Sequence, residues 1–265
     1  MSKINFEPTN NKVGCYIYTD LKFVKKEQIN EIKNLLNKYG VLFFKNQNLS
    51  PKEYIDFSSN FGNPAEYPML KPHKDFKDIY VIERKKTDKG KSFGEGPHTD
   101  SSYLQSPPRF TFLQAIEVPE EGKGNTLFYN QFLAYEALPK YIKDKIENLK
   151  GIFSSQGKIA QTRELRMADH GTSGTKEIKS EHKLVQSIGG RKTIYCSPGH
   201  VVGIVNFSSE QNDLISFLSS HQIKKNFSYS FGWKKGDIAL WSNRSMLHAA
   251  TAFNGDRKMY RITIQ

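Results

Sequence analysis

The chain is divided into many short strand-like runs separated by turns. The clearest run is 226–233, where Phe227, Tyr229, Phe231 and Trp233 alternate with more polar residues, the two-residue period of a half-buried strand. Short strands in this number predict a mainly β fold with flanking helices, built as a barrel or a double-sheet jelly roll. Further strands are predicted at 13–18, 41–44, 79–83, 109–118, 126–129, 183–187, 192–196, 236–241 and 258–264.

Helices are predicted at four places between these strands. Apolar residues at helical spacing indicate a helix over 27–39, which Gly40 ends. Ser50-Pro51-Lys52-Glu53 has the pattern of a capping box and predicts a helix to about residue 61. The runs 132–146, despite Pro139, and 208–221 are also predicted to be helical. We see no repeat and no linker, so the sequence predicts one domain over 1–265.

Residues 153–182 combine glycines and charges with few aliphatic side chains. Long irregular segments in compact domains are often active-site lids. We therefore expect a mobile insertion over a cavity, although composition alone fits a plain surface excursion equally well.

The formal net charge is +12, but the lysines are scattered in pairs and form no long basic run. This favours a solvated lysine-rich surface over a nucleic-acid face. Cys15 and Cys196 lie far apart and match no metal-binding spacing, which indicates two free thiols. No apolar run is long enough to cross a bilayer, and the first 14 residues lack the apolar core of a signal peptide. We expect a cytoplasmic protein, and the sequence leaves open whether it is a homo-oligomer.

A candidate metal site is carried by His98-Thr99-Asp100 and by His248. Side chains at i and i+2 of a strand leave the same face, so His98 and Asp100 could bind one ion together. Two histidines and a carboxylate on one face of a metal are typical of non-heme Fe(II) oxygenases. A lone His-x-Asp also occurs by chance, with the aspartate capping a turn.

With both histidine stretches placed, the chain resembles the TauD/TfdA family of Fe(II)- and 2-oxoglutarate-dependent dioxygenases. The resemblance covers most of the chain and keeps several motifs in one order. These motifs are 41–47 with the Ser50-Pro51 helix, Phe61-Gly62, His98-Thr99-Asp100, Pro107-Pro108, 124–127, 134–139, 236–244, His248, Ala250 and 257–261.

The resemblance implies a role for six side chains. His98, Asp100 and His248 match the iron ligands of the family. Thr126 and Arg257 match the positions that hold the far carboxylate of 2-oxoglutarate, and Arg261 matches an arginine that contacts the anionic group of the substrate. The implied reaction uses O2 to oxidise an unactivated C–H of a small, anionic substrate and releases succinate and CO2.

Three departures from the family pattern bear on these roles. The turn between His248 and Arg257 is about two residues shorter than in taurine enzymes, so Arg261 could hold 2-oxoglutarate instead. Gly94 stands where taurine enzymes carry asparagine, which weakens taurine as the substrate. Asp100 is present, whereas halogenating relatives replace it, so hydroxylation-type chemistry is expected. The competing hypothesis is a nucleic-acid-binding or base-oxidising jelly-roll protein. The spacing of the aromatic residues argues against it, because they alternate as core residues do and form no evident platform for stacking bases.

Overall fold

The computed structural model describes residues 4–67, 70–160, 162, 176–207 and 210–265. Strands account for most of the regular structure in these residues, as the sequence predicts. They are β1 Asn5–Pro8, β2 Cys15–Tyr18, β3 Val41–Phe44, β4 Tyr80–Arg84, β5 Phe110–Glu117, β6 Thr126–Asn130, β7 Lys150–Ser154, β8 Lys179–Lys183, β9 Val185–Ile188, β10 Arg191–Ile194, β11 Val201–Ile204, β12 Ser228–Phe231, β13 Ile238–Ser242, β14 Met246–Ala250 and β15 Arg257–Ile264.

Two sheets form the centre of the molecule. A seven-stranded sheet has the order β1-β2-β3-β13-β5-β15-β4, and a three-stranded sheet has the order β12-β6-β14. Their facing side chains pack together: the rings of Phe43 and Phe231 stack with centroids 4.3 Å apart, and those of Phe128 and Trp241 lie 5.4 Å apart. This double-sheet jelly-roll core confirms the predicted fold class.

A second body of structure covers one side of the core. It contains the sheet β11-β7-β8 and the hairpin β9-β10. The helices are α1 Lys26–Tyr39, α2 Pro51–Ser58, α3 Gln131–Glu136, α4 Lys140–Ile146 and α5 Gln211–Gln222. Buried side chains from α3, α4 and α5 join residues of β7 and β9–β11 in one apolar cluster, whereas α1 and α2 pack on the seven-stranded sheet.

The helix signals near the N-terminus are confirmed. Ser50 Oγ accepts a hydrogen bond from the backbone N of Glu53, and the Glu53 carboxylate accepts one from the backbone N of Ser50. This reciprocal pair satisfies two backbone donors that a helix start leaves open. Helix α1 ends at Tyr39. The next residue, Gly40, has a φ of +80° and donates its backbone N–H to the Leu36 carbonyl, which caps the helix.

Two helix predictions need correction. Residues 132–146 are not one helix, because α3 ends at Glu136 and α4 begins at Lys140, directly after Pro139. Proline has no N–H to continue a helix and disfavours the helical conformation of the residue before it, so the chain breaks there. Helix α2 ends at Ser58 and a 3-10 turn over Ser59–Phe61 replaces its predicted last turn.

The strand predictions missed β1, β7, β8, β11 and β14, and they placed 226–233 in one strand. In the structure Lys225–Phe227 is a 3-10 turn, and only Ser228–Phe231 pairs in a sheet. The aromatic alternation still reports burial, but in two clusters: Phe227 packs with α5, whereas Phe231 and Trp233 pack in the jelly-roll core.

The ends of the segment 153–182 are more regular than predicted. Phe153 belongs to β7 and is fully buried, and residues 179–182 belong to β8. Residues 161 and 163–175, where the expected lid falls, lie outside the described residues, so the lid and the domain extent of 1–265 stay predictions. Within the described part of the chain, no helix is long and apolar enough to cross a membrane. The cytoplasmic setting also stays a prediction.

Candidate metal centre and active site

Backbone pairing brings the two predicted metal-binding histidines together. His98 forms an isolated antiparallel bridge to His248 of β14, in which each backbone N donates to the carbonyl of the other residue, at 3.0 and 2.8 Å. Their rings lie 4.3 Å apart. The strand geometry that the sequence analysis used to bring His98 and Asp100 together is not present, because His98 makes a single bridge and Asp100 lies in a turn. The partner strand, not i, i+2 geometry, therefore assembles the site.

The three predicted metal ligands converge on one point. The Asp100 Oδ1 atom is 4.0 Å from His98 Nε2 and 3.7 Å from His248 Nε2. A ligand atom from each residue lies within 4.8 Å of the others. The His98 and Asp100 side chains are buried, and the His248 side chain is 11% exposed. Two imidazoles and a carboxylate on one side of a small space match the facial triad of non-heme Fe(II) sites.

Hydrogen bonds from outside this triad orient two of its members. His98 Nδ1 lies 2.9 Å from the Gly96 carbonyl, an acceptor, so Nδ1 carries the proton and Nε2 keeps its lone pair. Asp100 Oδ2 accepts a 2.7 Å bond from Thr111 Oγ1, which leaves Oδ1 toward the histidines. His248 differs, since its buried Nδ1 has no hydrogen-bond partner among the described residues.

A chain of polar groups runs outward from Asp100 through the core. The Asn243 side-chain amide donates to Thr111 Oγ1 at 2.9 Å, and Trp241 Nε1 donates to Asn243 Oδ1 at 3.0 Å. The Asn243 carbonyl also accepts from Thr99 Oγ1. These buried groups are fixed by one another, so they fix the direction of the Asp100 carboxylate.

The electrostatic environment sets the protonation states that metal binding needs. Burial, and after it the neighbouring His98, lowers the pKa of His248 to about 3, so its imidazole is neutral. Burial alone would raise the pKa of Asp100, but the Arg261 guanidinium and the nearby imidazoles outweigh burial and hold this pKa below its ordinary value. A neutral imidazole and an ionised carboxylate are the forms that bind a metal ion.

The two predicted ligand-binding arginines lie on one face of β15. Arg257 and Arg261 are both buried, and residues between them alternate in exposure as on a regular strand. Together with Thr126 they line the same cavity as His98 and His248. Arg261 Nη2 is 2.9 Å from Asp100 Oδ1, a close ion pair without the alignment of a good hydrogen bond.

Aromatic rings support both guanidinium groups. Arg261 lies over Tyr67 with Cζ 4.3 Å from the ring centroid, and Arg257 lies 5.7 Å from the centroid of Phe253. Thr126 Oγ1 accepts a bond from Trp233 Nε1 at 3.0 Å.

The open space left among the side chains that line this cavity is about 40 Å³, close to the roughly 30 Å³ share of one water molecule. A larger ligand enters only if some of the lining side chains move.

Residues 13–263 match the sequence profile of the family described as "Taurine catabolism dioxygenase TauD, TfdA family". The chain belongs to the TauD/TfdA family. The match covers nearly the whole chain and includes every residue of the candidate site. Because the members of this family are dioxygenases, the protein is an enzyme of that type.

Several individual proteins are similar to this chain at moderate identity. An alkylsulfatase of Acinetobacter baylyi is 28% identical over 247 residues, which are 88% of this chain and 75% of the relative. An alpha-ketoglutarate-dependent 2,4-dichlorophenoxyacetate dioxygenase of Cupriavidus pinatubonensis is 26% identical over 86% of this chain and 84% of its own length. The crystal structure of a putative alpha-ketoglutarate-dependent taurine dioxygenase from Burkholderia xenovorans superposes with a TM-score of 0.83 and 26% identity, over 99% of this chain and 92% of that one.

The structure thus places all six residues singled out by the TauD/TfdA resemblance in or around one cavity. The alternative of a nucleic-acid-binding or base-oxidising protein finds no support in the family or in these relatives.

Sequence reasoning missed the residues that support the ligands. Thr111 reads as one more β-branched residue in a predicted strand. Tyr67 lies in a stretch without clear periodicity. Asn243 belongs to a family motif but was given no role, although a polar residue directly after the buried run of β13 is a usable signal of a core hydrogen bond.

Proposed function

We propose that this TauD/TfdA enzyme uses Fe(II) and 2-oxoglutarate to oxidise a C–H bond of a small organic anion. The observation that carries the proposal is the single buried cavity lined by two imidazoles and two arginines, with the Asp100 carboxylate at its edge. The two imidazoles and the carboxylate are the ligands that a metal ion with open positions needs. Two anionic ligands would account for the two arginines.

The residues present fit a bound Fe(II). His98, Asp100 and His248 would hold the ion, because their ligand atoms converge and their protonation states are those of metal ligands. The hydrogen bond from His98 Nδ1 to the Gly96 carbonyl is the outer-shell contact that metal-binding histidines usually make. When bound, Fe(II) with 2-oxoglutarate and O2 supplies the oxidising chemistry and yields succinate and CO2.

The protein's own side chains bind and orient the two anions. We assign the far carboxylate of 2-oxoglutarate to Arg257 and Thr126, since a guanidinium can bind a carboxylate with two parallel hydrogen bonds and a hydroxyl can add a third. Arg261 would face the anionic group of the primary substrate. Its place beside Asp100 Oδ1 puts that substrate next to the metal ligands.

Aromatic side chains around Arg261 favour a substrate with an apolar body. Tyr67, Tyr80 and Tyr103 form one buried cluster with Leu70 and Phe93, and Arg261 lies over the Tyr67 ring. This combination suits an organic sulfate, sulfonate or carboxylate. The names of the alkylsulfatase and of the 2,4-dichlorophenoxyacetate dioxygenase, both relatives of this chain, support that class.

The test is a succinate-release screen under air with Fe(II), ascorbate and 2-oxoglutarate. The panel would contain alkyl sulfates, alkyl and aryl sulfonates, aryloxyacetates, phosphonates and single-stranded DNA. We expect one anionic small-molecule class to release succinate in step with its own oxidation. Turnover only with DNA, or no substrate-coupled succinate from any member, would contradict the proposal.

We also propose that the lid predicted at about 153–182, apart from its two ends in β7 and β8, orders over the site when substrate binds. One described residue of this segment, Thr162, is buried, and its hydroxyl accepts a hydrogen bond from the backbone N of Gly94 at 3.4 Å, four residues before His98. Backbone hydrogen exchange within 161–175 should slow on adding Mn(II), 2-oxoglutarate and substrate together. Full protection before any ligand is added would rule out a closing lid.

A further inference from the structure

A third buried arginine lies next to the proposed oxoglutarate pocket. Arg84 ends β4 and is the direct cross-strand neighbour of Arg257 on β15. Its side chain is 7% exposed. The Arg84 and Arg257 guanidinium carbons both lie 5.7 Å from the ring centroid of Phe253, so this one ring contacts two cations. Sequence analysis gave no role to Arg84.

The protein neutralises Arg84 only in part. Arg84 Nη2 donates to the carbonyls of Asp88 and Gly90, both at 3.2 Å, while the buried Nε has no partner. Among the described residues no carboxylate forms an ion pair with it. Arginine stays charged in proteins, and a buried charge is costly unless it is paired. A like charge on the neighbouring strand adds to that cost.

Arg84 also lines a cavity of its own, which we call the Arg84 cavity. Its volume is about 420 Å³, and it is lined by Arg84, Gly90, Lys91, Glu95, Ala252, Phe253 and Asn254. It is an open depression at the protein surface, into which a small ligand could enter without movement of the chain. Arg257, Thr126 and the two histidines line a different cavity, and Phe253 contacts the arginines of both.

The charges of this lining favour an anion. Lys91 adds a second cation and makes no ion pair within the described residues. Glu95 is the one carboxylate of the lining, and it accepts a hydrogen bond from the backbone N of Ser92 in its own loop. Two cations therefore face one carboxylate that already has a partner.

We propose that the Arg84 cavity is a second carboxylate-binding site, outside the oxoglutarate pocket, that takes a small dicarboxylate. A four- or five-carbon diacid could place one carboxylate on Arg84 and the other near Lys91. That this diacid is 2-oxoglutarate or its product succinate rests on the proposed function. The anion site itself rests only on Arg84 and its cavity.

The competing role for Arg84 is that of a clamp for the 85–91 loop, through the carbonyls of Asp88 and Gly90. The two roles differ in what they predict. A clamp changes stability and leaves carboxylate affinity alone, whereas a binding site changes the affinity. The measurement must therefore report binding at this cavity and not only activity or melting temperature.

The experiment follows backbone ¹⁵N–¹H shifts of Gly90, Lys91 and Asn254 while succinate, and separately 2-oxoglutarate, is titrated into the full-length protein. Neutral succinamide is the ligand control. We expect saturable shifts with the diacids and none with succinamide. Arg84→Gln should weaken the binding about tenfold or more, the effect expected for losing one charge-assisted hydrogen bond. Lys91→Gln should weaken it less.

Lys89→Gln is the matched control, since Lys89 is exposed in the same loop and does not line the cavity. It should leave the binding unchanged. Equal losses in Lys89→Gln and Lys91→Gln would mean general charge attraction and would overturn the proposal, as would the absence of saturable shifts or an unchanged affinity in Arg84→Gln. If Arg84→Gln does not fold, the comparison of diacid affinity between Lys91→Gln and Lys89→Gln decides whether the cavity is a binding site.

Repeating the titration with Arg257→Gln separates this proposal from the proposed function. The shifts at Gly90 and Asn254 should persist in that variant if the Arg84 cavity binds by itself. A protein that shows these shifts but never turns over 2-oxoglutarate would refute the proposed function and keep the site. A protein that turns over 2-oxoglutarate without these shifts would support the proposed function and refute the Arg84 site.

Discussion

The two ends of the active-site cavity are held in different ways. At the metal end, directional hydrogen bonds fix the ligands: His98 to the Gly96 carbonyl, and Asp100 to Thr111. At the arginine end, aromatic faces support the charged groups, with Tyr67 under Arg261 and Phe253 beside Arg257.

The difference follows from what each end must leave available. A metal ligand needs one lone pair aimed at a point, and a hydrogen bond to its other polar atom achieves that aim. A guanidinium needs its N–H donors for the incoming anion. A ring face attracts the cation without using those donors. Directional hydrogen bonds therefore preorganise the metal end, whereas at the arginine end ring faces add support to guanidinium groups, one of which is also ion-paired with Asp100.

Removing a ligand from the metal end should have the largest effect. His248→Ala should lose metal affinity and turnover together, by more than the roughly 10- to 100-fold that loss of an outer-shell partner costs. Calorimetric titration with Mn(II) and a turnover assay measure the two. His73→Ala, a histidine outside the cavity, is the control. Wild-type metal affinity in His248→Ala would show that the triad is wrong.

Removing the hydrogen bond from Thr111 that orients the Asp100 carboxylate should have the second-largest effect on metal binding. Thr111→Val keeps the shape of the side chain but deletes the bond to Oδ2, and we expect Mn(II) affinity to fall about 10- to 100-fold. Thr263→Val is a matched control, because Thr263 is the cross-strand neighbour of Thr111, is equally buried and bonds to the Ala65 carbonyl instead. Equal losses in both variants would assign the effect to general packing.

At the arginine end, substitutions of Arg257 and Arg261 should weaken the binding of different ligands. Arg257→Ala should raise the apparent constant for 2-oxoglutarate about ten- to a hundredfold, the worth of a charge-assisted bond. Arg261→Ala should weaken binding of the primary substrate and leave the oxoglutarate constant nearly intact. Lys258→Ala, on the other face of the same strand, serves as control. If Arg261→Ala carries the oxoglutarate defect instead, the two roles are exchanged.

Replacing the ring beside Arg257 should have the smallest effect. Phe253→Leu keeps an apolar side chain but removes a cation–π contact worth about 0.5–2 kcal/mol, so 2-oxoglutarate affinity should fall from about twofold to thirtyfold. Phe227→Leu, equally buried at 8% exposure in another cluster, controls for core packing. An unchanged oxoglutarate constant in Phe253→Leu would remove the ring from our account of the arginine end.

Much of this site could be predicted from the sequence because its residues occur in ordered motifs. His98-Thr99-Asp100, His248, Arg257 and Arg261 are identifiable by type and spacing. Thr111 and Arg84 are not, because nothing local distinguishes a threonine that bonds to Asp100 from one that fills a strand. Their roles depend on which strands become neighbours.

The sequence by itself determined the mainly β class, the capping box at Ser50 and the residue types of the site, since periodicity and capping are properties of neighbouring residues. Only the tertiary structure decided how they meet. The pairing of His98 with His248 joins residues 150 positions apart in the chain, and the pairing of β4 with β15 puts Arg84 opposite Arg257. Such contacts depend on strand order and register, which are settled when two sheets bury their apolar faces together and which no short stretch of sequence encodes.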